Sequence, residues 1–155
     1  MSNKGNLNRR TVVEAASAGA VLLGLIFVGL ELRQNTDAVQ AATFQDLTHA
    51  SSDFLIEIGS DVETAKLYSV ARQNPDILSP DERIQYVFLQ QAFWLRMQNA
   101  YIQWQRGTLT DEDWSVYQSV TCGSANAPGP EEIWRMGIGI SPSFMEFLES
   151  CDDEL

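Results

Sequence analysis

The sequence predicts an all-α protein in which an N-terminal transmembrane helix continues into a small helical bundle. An uncharged, apolar run of 16 residues occupies positions 15–30. Beyond it, no segment alternates apolar and polar residues over the length that a half-buried strand needs. Helix caps and prolines instead divide the rest of the chain into segments of helical length.

The apolar run is compatible with three kinds of segment: a retained membrane anchor, a cleaved export signal, or a buried helix of a soluble bundle. As a helix, residues 15–30 span roughly 24 Å, and extension to residues 12 and 32 approaches the ~30 Å of a bilayer core. No small-residue cleavage site follows Leu30, because the chain continues with the bulky, charged "ELRQNTD". A retained anchor over residues 12–33 is therefore favoured.

Flanking charges give this anchor an orientation. Lys4, Arg9 and Arg10 precede it, whereas only Arg33 follows closely. Positive residues remain preferentially on the cytoplasmic side. We therefore expect a single-pass protein of the bacterial inner membrane, with residues 1–11 as a basic cytoplasmic N-terminus and residues 34–155 as a periplasmic domain.

The predicted domain is strongly acidic. It contains six of the 10 Lys and Arg residues and 19 of the 21 Asp and Glu residues, which gives it a net charge of −13. Such a surface repels phosphate backbones, so nucleic acid is excluded as an expected partner. The partners expected are the lipid bilayer and either another membrane protein or a second copy of the chain.

Capping signals predict where the helices of the domain begin. Ser60 with Glu63, and Ser79 with Glu82, have the spacing of capping boxes, and Pro80 suits a first helical position. The composition of "GSANAPGP" favours a loop. The helices expected are about 36–59, 60–73, 80–106, 110–122, 131–136 and 141–150, with a loop over 123–130.

The helix expected over residues 80–106 has apolar residues around much of its circumference. One stripe is predicted to face the core: Ile84, Phe88, Leu95 and Ile102. A group of aromatic residues beside it either belongs to that core or lines a ligand pocket. The candidate pocket residues are Phe93, Trp94, Tyr101 and Trp104.

Two further patterns suggest contacts. Ala16, Ala20 and Gly24 recur every four residues and form a face where another membrane helix can approach closely. Cys122 and Cys151 are the two cysteines of the chain, and we expect them to form a disulfide if the domain lies outside the cytoplasm.

No pattern of catalytic or metal-binding residues is present in the sequence. His49 is the single histidine, and it lacks a nucleophile motif. The acidic groups at 111–113 and 152–154 are consecutive, so on a helix their side chains point in different directions. We therefore expect no catalytic residue, no cofactor and no metal site, and hence no enzyme activity.

Several motifs occur together in an order that resembles a broad group of uncharacterised bacterial proteins. These are Glu14, "AGAVLLGLIF", Glu31, "RQNT" at 33–36, Ala41–Ala42, the segment 78–114 beginning "LSPDER", and Trp134 followed by "SPSFMEFL". Members of that group have one N-terminal membrane helix that ends in an RQNT-like motif, and a small all-helical domain. The resemblance implies a retained anchor and a helical domain, and it carries no assigned activity.

Two functional hypotheses follow from these patterns. In the first, the protein is a membrane-anchored interaction or structural module, either an accessory subunit or a self-associating protein of the inner membrane. In the alternative, it is a periplasmic ligand-sensing or carrier bundle that uses the aromatic pocket. A cavity of a few hundred Å³ beside the aromatic residues distinguishes the second from the first.

Overall fold

The computed structural model describes residues 4–151, and their side chains from residue 9 onward. The start of the predicted basic N-terminus and the acidic group at 152–154 lie outside the described residues. No strand occurs between residues 4 and 151, so the predicted all-α class is confirmed. The elements are α1 (Lys4–Ser60), α2 (Val62–Gln73), a 3₁₀ turn (Pro75–Ile77), α3 (Pro80–Gln105), α4 (Asp111–Ala125), α5 (Pro128–Arg135) and α6 (Pro142–Ser150).

The chain divides into two units, one ending at Val39 and the other beginning at Gln40. The first unit consists of the N-terminal part of α1, and its large apolar side chains are exposed, from 42% at Val39 to 69% at Leu23. This part of the helix is long and apolar enough to cross a membrane. Signal sequences and the core helices of some soluble proteins can be equally long and apolar.

In the second unit, α3 supplies the largest part of the core and packs against α2, α4 and α5. Its buried side chains include several aromatic rings, which remove large apolar areas from water. The buried residues of α3 are Tyr86, Gln90, Phe93, Trp94, Met97, Ala100 and Tyr101.

The predicted core stripe of α3 is wrong. Ile84, Phe88 and Leu95 are 57%, 68% and 45% exposed, and Ile102 is only partly buried. The helix is instead turned so that its aromatic side faces its neighbours. The physical reason is area, because the buried side has four aromatic rings whereas the predicted stripe has only that of Phe88, and an aromatic side chain buries more apolar surface than Ile or Leu.

The structure bears out one predicted cap and corrects the other. At the start of α3, Ser79 N–H donates to the Glu82 carboxylate at 2.8 Å, which completes the predicted capping box. At the start of α2, however, the cap is Asp61, whose carboxylate accepts from Thr64 N–H at 2.8 Å. Ser60 is the last residue of α1. Hydrogen bonds from the Thr64 hydroxyl and backbone lower the pKa of Asp61.

The predicted loop over residues 123–130 is almost entirely helical. The α4 helix continues to Ala125, and α5 begins at Pro128, which leaves Asn126 and Ala127 as the connection. A proline is tolerated in a first helical turn, where its missing N–H has no helical partner to bond. Burial of Ala125 in the core also favours the longer helix, so composition alone was misleading here.

Close packing of α5 depends on a glycine. A Cβ atom added at Gly129 would overlap the carbonyl oxygen of Ala71 in α2 and would lie 2.7 Å from the Tyr86 hydroxyl in α3. The backbone of Ala71 cannot move without disturbing α2. Gly129 therefore allows α5 to approach both helices.

We predict that Gly129→Ala destabilises the domain by roughly 1–3 kcal/mol or more, because the added methyl group overpacks a filled interface. The measurement is urea unfolding of the full chain in detergent, followed by tryptophan fluorescence. Gly123→Ala is the matched control, since Gly123 lies in α4 with no atom within 4 Å of an added Cβ. That variant should be neutral or more stable by up to ~1 kcal/mol. Equal midpoints for the two variants would contradict this packing.

Candidate functional site

An open groove with a volume of about 600 Å³ lies in the second unit, and we call it the apolar groove. It is bounded by the C-terminal part of α1 and by α2, α3 and α4. Its lining residues are Phe44, Thr48, Ser51, Ser52, Phe54, Leu55, Ile58, Tyr68, Arg72, Phe93, Arg96, Met97, Val116, Tyr117, Val120 and Ser124.

Aromatic rings from different helices meet in the apolar groove. The ring centroid of Phe54 in α1 lies 6.2 Å from that of Phe93 in α3 and 6.3 Å from that of Tyr68 in α2. Phe54, Phe93 and Tyr117 are buried, whereas Tyr68 is partly buried. These packed rings hold the three helices together and give the groove a firm apolar surface.

The apolar groove also has an exposed apolar edge. Leu55 is 66% exposed on α1, and Val116 and Val120 are 59% and 50% exposed on α4. Isolated surface hydrophobics are ordinary, but these three line one concavity together with a buried aromatic floor. Covering them would remove further apolar area from water.

Arg96 is the most unusual polar side chain of the groove. Its guanidinium carbon lies 4.3 Å from the ring centroid of Phe54 and 5.4 Å from that of Phe93, which is within cation–π range. Its Nε is buried without a hydrogen-bond partner among the described residues. Burial lowers the pKa of Arg96, yet a guanidinium remains protonated at physiological pH. The groove thus contains a partly buried cation with an unused donor.

A second arginine lies on the same groove. Arg72 in α2 has its guanidinium carbon 5.8 Å from the ring centroid of Tyr68. Among the described residues, no Asp or Glu lines the apolar groove. Asp46 instead lines a separate depression that Arg96 also borders. The groove is therefore locally cationic within a domain of net charge −13.

The structure divides the four candidate pocket residues among different environments. Phe93 lines the apolar groove. Trp94 is 1% exposed and borders a separate void of only about 10 Å³. Tyr101 and Trp104 pack on Trp114, at centroid distances of 5.7 and 5.3 Å. Of the four, Phe93 thus takes part in the groove.

Sequence reasoning missed Arg96, Phe54 and Tyr117. The spacing of Phe93, Arg96 and Met97 would have placed these three on one side of α3. The partner rings, however, come from α1 and α4, and the pairing of helices is not encoded in the periodicity of any one of them. A lone arginine among apolar residues was the available signal.

The small-residue face of the first unit is exposed. Ala16, Ala20 and Gly24 are all on the surface of α1, and a Cβ added at Gly24 has no atom within 4 Å. His49 is exposed on the same helix, within the second unit. Between residues 4 and 151, no cluster of three or more His, Cys, Asp or Glu side chains is arranged to hold a metal ion.

A disulfide joins Cys122 in α4 to Cys151 at the end of α6, with an S–S distance of 2.05 Å. Cys151 is buried, and its carbonyl accepts a hydrogen bond from the Asn126 side chain at 3.5 Å. The bond ties the last described residue of the chain to α4, which forms one side of the apolar groove.

Comparisons with protein families, curated proteins and solved structures give no match.

We predict that replacing both cysteines by serine destabilises the domain by about 2–4 kcal/mol, because the disulfide closes a loop with a sequence separation of 29. Thermal unfolding of the full chain in detergent, with and without reductant, is the measurement. Reductant should lower the midpoint of the wild type and leave Cys122→Ser/Cys151→Ser unchanged. A wild type that is insensitive to full reduction would refute a stabilising role for this bond.

Proposed function

We propose that the chain is a single-pass protein of the bacterial inner membrane, with a cytoplasmic N-terminus and a periplasmic domain. The exposed apolar surface of the first unit supports membrane insertion, since such a surface is unfavourable in water. The excess of positive residues before the apolar run supports the orientation. The disulfide is also consistent with an oxidising compartment.

This location predicts the behaviour of reporter fusions. Alkaline phosphatase fused after residue 34 or at the C-terminus should be active, whereas green fluorescent protein at the same positions should be dark. An immunoblot for an uncleaved chain distinguishes an anchor from an export signal. Fluorescent fusions without phosphatase activity would show that the domain lies in the cytoplasm. A shortened chain on the immunoblot would show that the N-terminal helix is a cleaved export signal and not a retained anchor.

We further propose that the periplasmic domain is a ligand-sensing or carrier module that binds an apolar ligand in the apolar groove. The observation that carries this proposal is the combination of an aromatic floor, an exposed apolar edge and a volume of about 600 Å³. Small-molecule sites have volumes of roughly 300–1,000 Å³ and mostly apolar linings with a few polar groups. The proposal includes no catalytic step.

The energetics favour an aliphatic ligand. Each CH₂ group transferred from water into an apolar site contributes about 0.8 kcal/mol. The gain must exceed the cost of association, which is on the order of 4 kcal/mol or more. A chain of several CH₂ groups in contact with Leu55, Val116 and the aromatic floor meets this requirement.

The test is photolabelling of the full chain in phosphatidylcholine nanodiscs by hexadecanol that carries a mid-chain diazirine. We expect adducts on groove peptides that contain Leu55, Phe93 or Val116, in addition to the lipid-facing residues of the anchor. Mass spectrometry locates the adducts. Adducts confined to residues 12–33, both with this probe and with the matched hexadecanoic acid, would refute ligand binding by the domain.

Two matched variants separate groove binding from general surface labelling. Val116→Asn places a polar group at the edge of the apolar groove, and it should reduce the groove adducts. Ile84→Asn makes the same kind of change at a similarly exposed residue that does not line the groove, and it should leave them unchanged. An equal loss of groove adducts in Val116→Asn and Ile84→Asn would also contradict the proposal.

A second candidate function is the interaction module, as an accessory subunit or a self-associating protein. The observation that favours it is the exposed face formed by Ala16, Ala20 and Gly24. Small residues allow membrane helices to approach closely, so another membrane protein or a second copy is the partner considered. The native mass in mild detergent tests this function, and a strict monomer that enriches no membrane protein from native membranes would count against it.

A further inference from the structure

The basic residues of the second unit fall into distinct environments. Arg83 is paired with Glu132, and Arg135 is paired with Glu131. Arg72 and Arg96 line the apolar groove and have no carboxylate within ion-pair distance among the described residues. In a unit with 18 acidic residues, this arrangement leaves two cations available inside one apolar concavity.

The two arginines are linked by a continuous aromatic surface. Arg72 lies over Tyr68, the ring of Tyr68 contacts that of Phe54 at 6.3 Å, and Arg96 lies over Phe54 at 4.3 Å. Both cations are therefore held against the apolar floor by ring faces. A guanidinium that stacks on a ring keeps its N–H edge available for an acceptor.

Arg96 needs such an acceptor more than an exposed arginine does. The side chain is partly buried and has no ion pair or hydrogen bond among the described residues, and a cation removed from water without a partner is energetically costly. The cation–π contacts compensate for part of the lost hydration of the cation, but they do not supply a hydrogen-bond acceptor. A carboxylate matches the planar donor edge of a guanidinium and can accept two parallel hydrogen bonds.

We propose that the ligand of the apolar groove is a single-chain amphiphile with a carboxylate head, that is, a fatty acid. Its chain contacts the aromatic floor and the exposed apolar edge, while its head binds Arg96, with Arg72 adding to the local positive charge. This inference rests on the proposed ligand-binding function of the same groove. The bilayer beside a membrane-anchored domain supplies molecules of this class.

Charge gives the groove its selectivity. An alcohol of the same chain length fills the same apolar space but leaves the two guanidinium groups without an anionic partner. An alkyl ammonium is repelled by Arg72 and Arg96 and has no acidic lining residue to bind. Because the rest of the domain is acidic, an anion gains only from this local site and not from the overall field.

The test compares diazirine-bearing hexadecanoic acid with the matched hexadecanol on the full chain in phosphatidylcholine nanodiscs. Adducts on the groove are divided by adducts on the anchor in the same molecules, which corrects for partitioning of each probe into lipid. We expect the ratio for the acid to exceed that for the alcohol by roughly 10- to 100-fold, since hydrogen bonds to charged groups are the strong ones.

Three variants assign the effect to the arginines. Arg96→Gln should lower the acid ratio to about that of the alcohol, and Arg72→Gln should lower it in part. Arg106→Gln makes the same change of charge at an exposed residue outside the groove, and it should leave the ratio unchanged. Arg96→Lys keeps the positive charge but loses the planar pair of N–H donors that a carboxylate can bind, so an intermediate ratio is expected. Unfolding midpoints verify that each variant is folded.

Each remaining outcome is decisive. Equal groove labelling by acid and alcohol in the wild type would overturn the fatty-acid assignment and leave the ligand-binding proposal standing. Labelling of the groove by neither probe would overturn both. If Arg106→Gln lowered the acid ratio as much as Arg96→Gln, the preference for the acid would depend on the net charge of the domain. That result would overturn the assignment of the head group to Arg96. Groove labelling that disappears when a disc holds two copies instead of one would show that a second copy occupies the groove.

Discussion

The structure of the domain depends on one constraint, which is the burial of the aromatic side of α3. Tyr86, Trp94 and Tyr101 are each at most 7% exposed; Tyr86 packs on Tyr68 of α2, whereas Tyr101 packs on Trp114 of α4. Burial of this side therefore requires several helices, and α3 packs against α2, α4 and α5 while Phe88 on its other side remains exposed. Close approach of α5 requires Gly129, and the disulfide joins α6 to α4.

The apolar groove is a consequence of the same arrangement. Phe93, Arg96 and Met97 are spaced three and four residues apart in α3, so they share the side of the helix that lines the groove. The apolar residues at the edge, Leu55 and Val116, remain exposed on their helices. A concavity is left there, and Arg96 lies within it because its aliphatic stem and its cation both find apolar or aromatic contacts. If the groove binds a ligand as proposed, the unpaired cation favours an anionic one.

Local signals in the sequence predicted most of the fold. The Ser79–Glu82 box and Pro80 gave the start of α3, because capping involves residues three apart and needs no tertiary information. The same logic misplaced the start of α2 by one residue, since Ser60 and Asp61 are both good caps. The loop expected over 123–130 was wrong because burial of α4 extends a helix beyond what composition indicates.

The candidate site was much less accessible from the sequence. Of the four aromatic residues considered, Phe93 alone lines the groove; Trp94 lies beside a far smaller void, and Tyr101 and Trp104 pack against Trp114. Periodicity identifies the sides of α3, but it does not say which helix covers each side. The exposed stripe containing Phe88 shows this directly, because it satisfied the helical pattern and still faces away from the core.

The most direct test of this account is the methyl NMR spectrum of the full chain in nanodiscs, with ¹³C-methyl methionine, during titration with dodecanoate. Met97 is 2% exposed and lines the apolar groove, whereas Met136 and Met145 do not line it. We expect the Met97 signal to shift and saturate while the signals of Met136 and Met145 remain in place. An unchanged Met97 signal, or equal shifts of all three, would contradict the account.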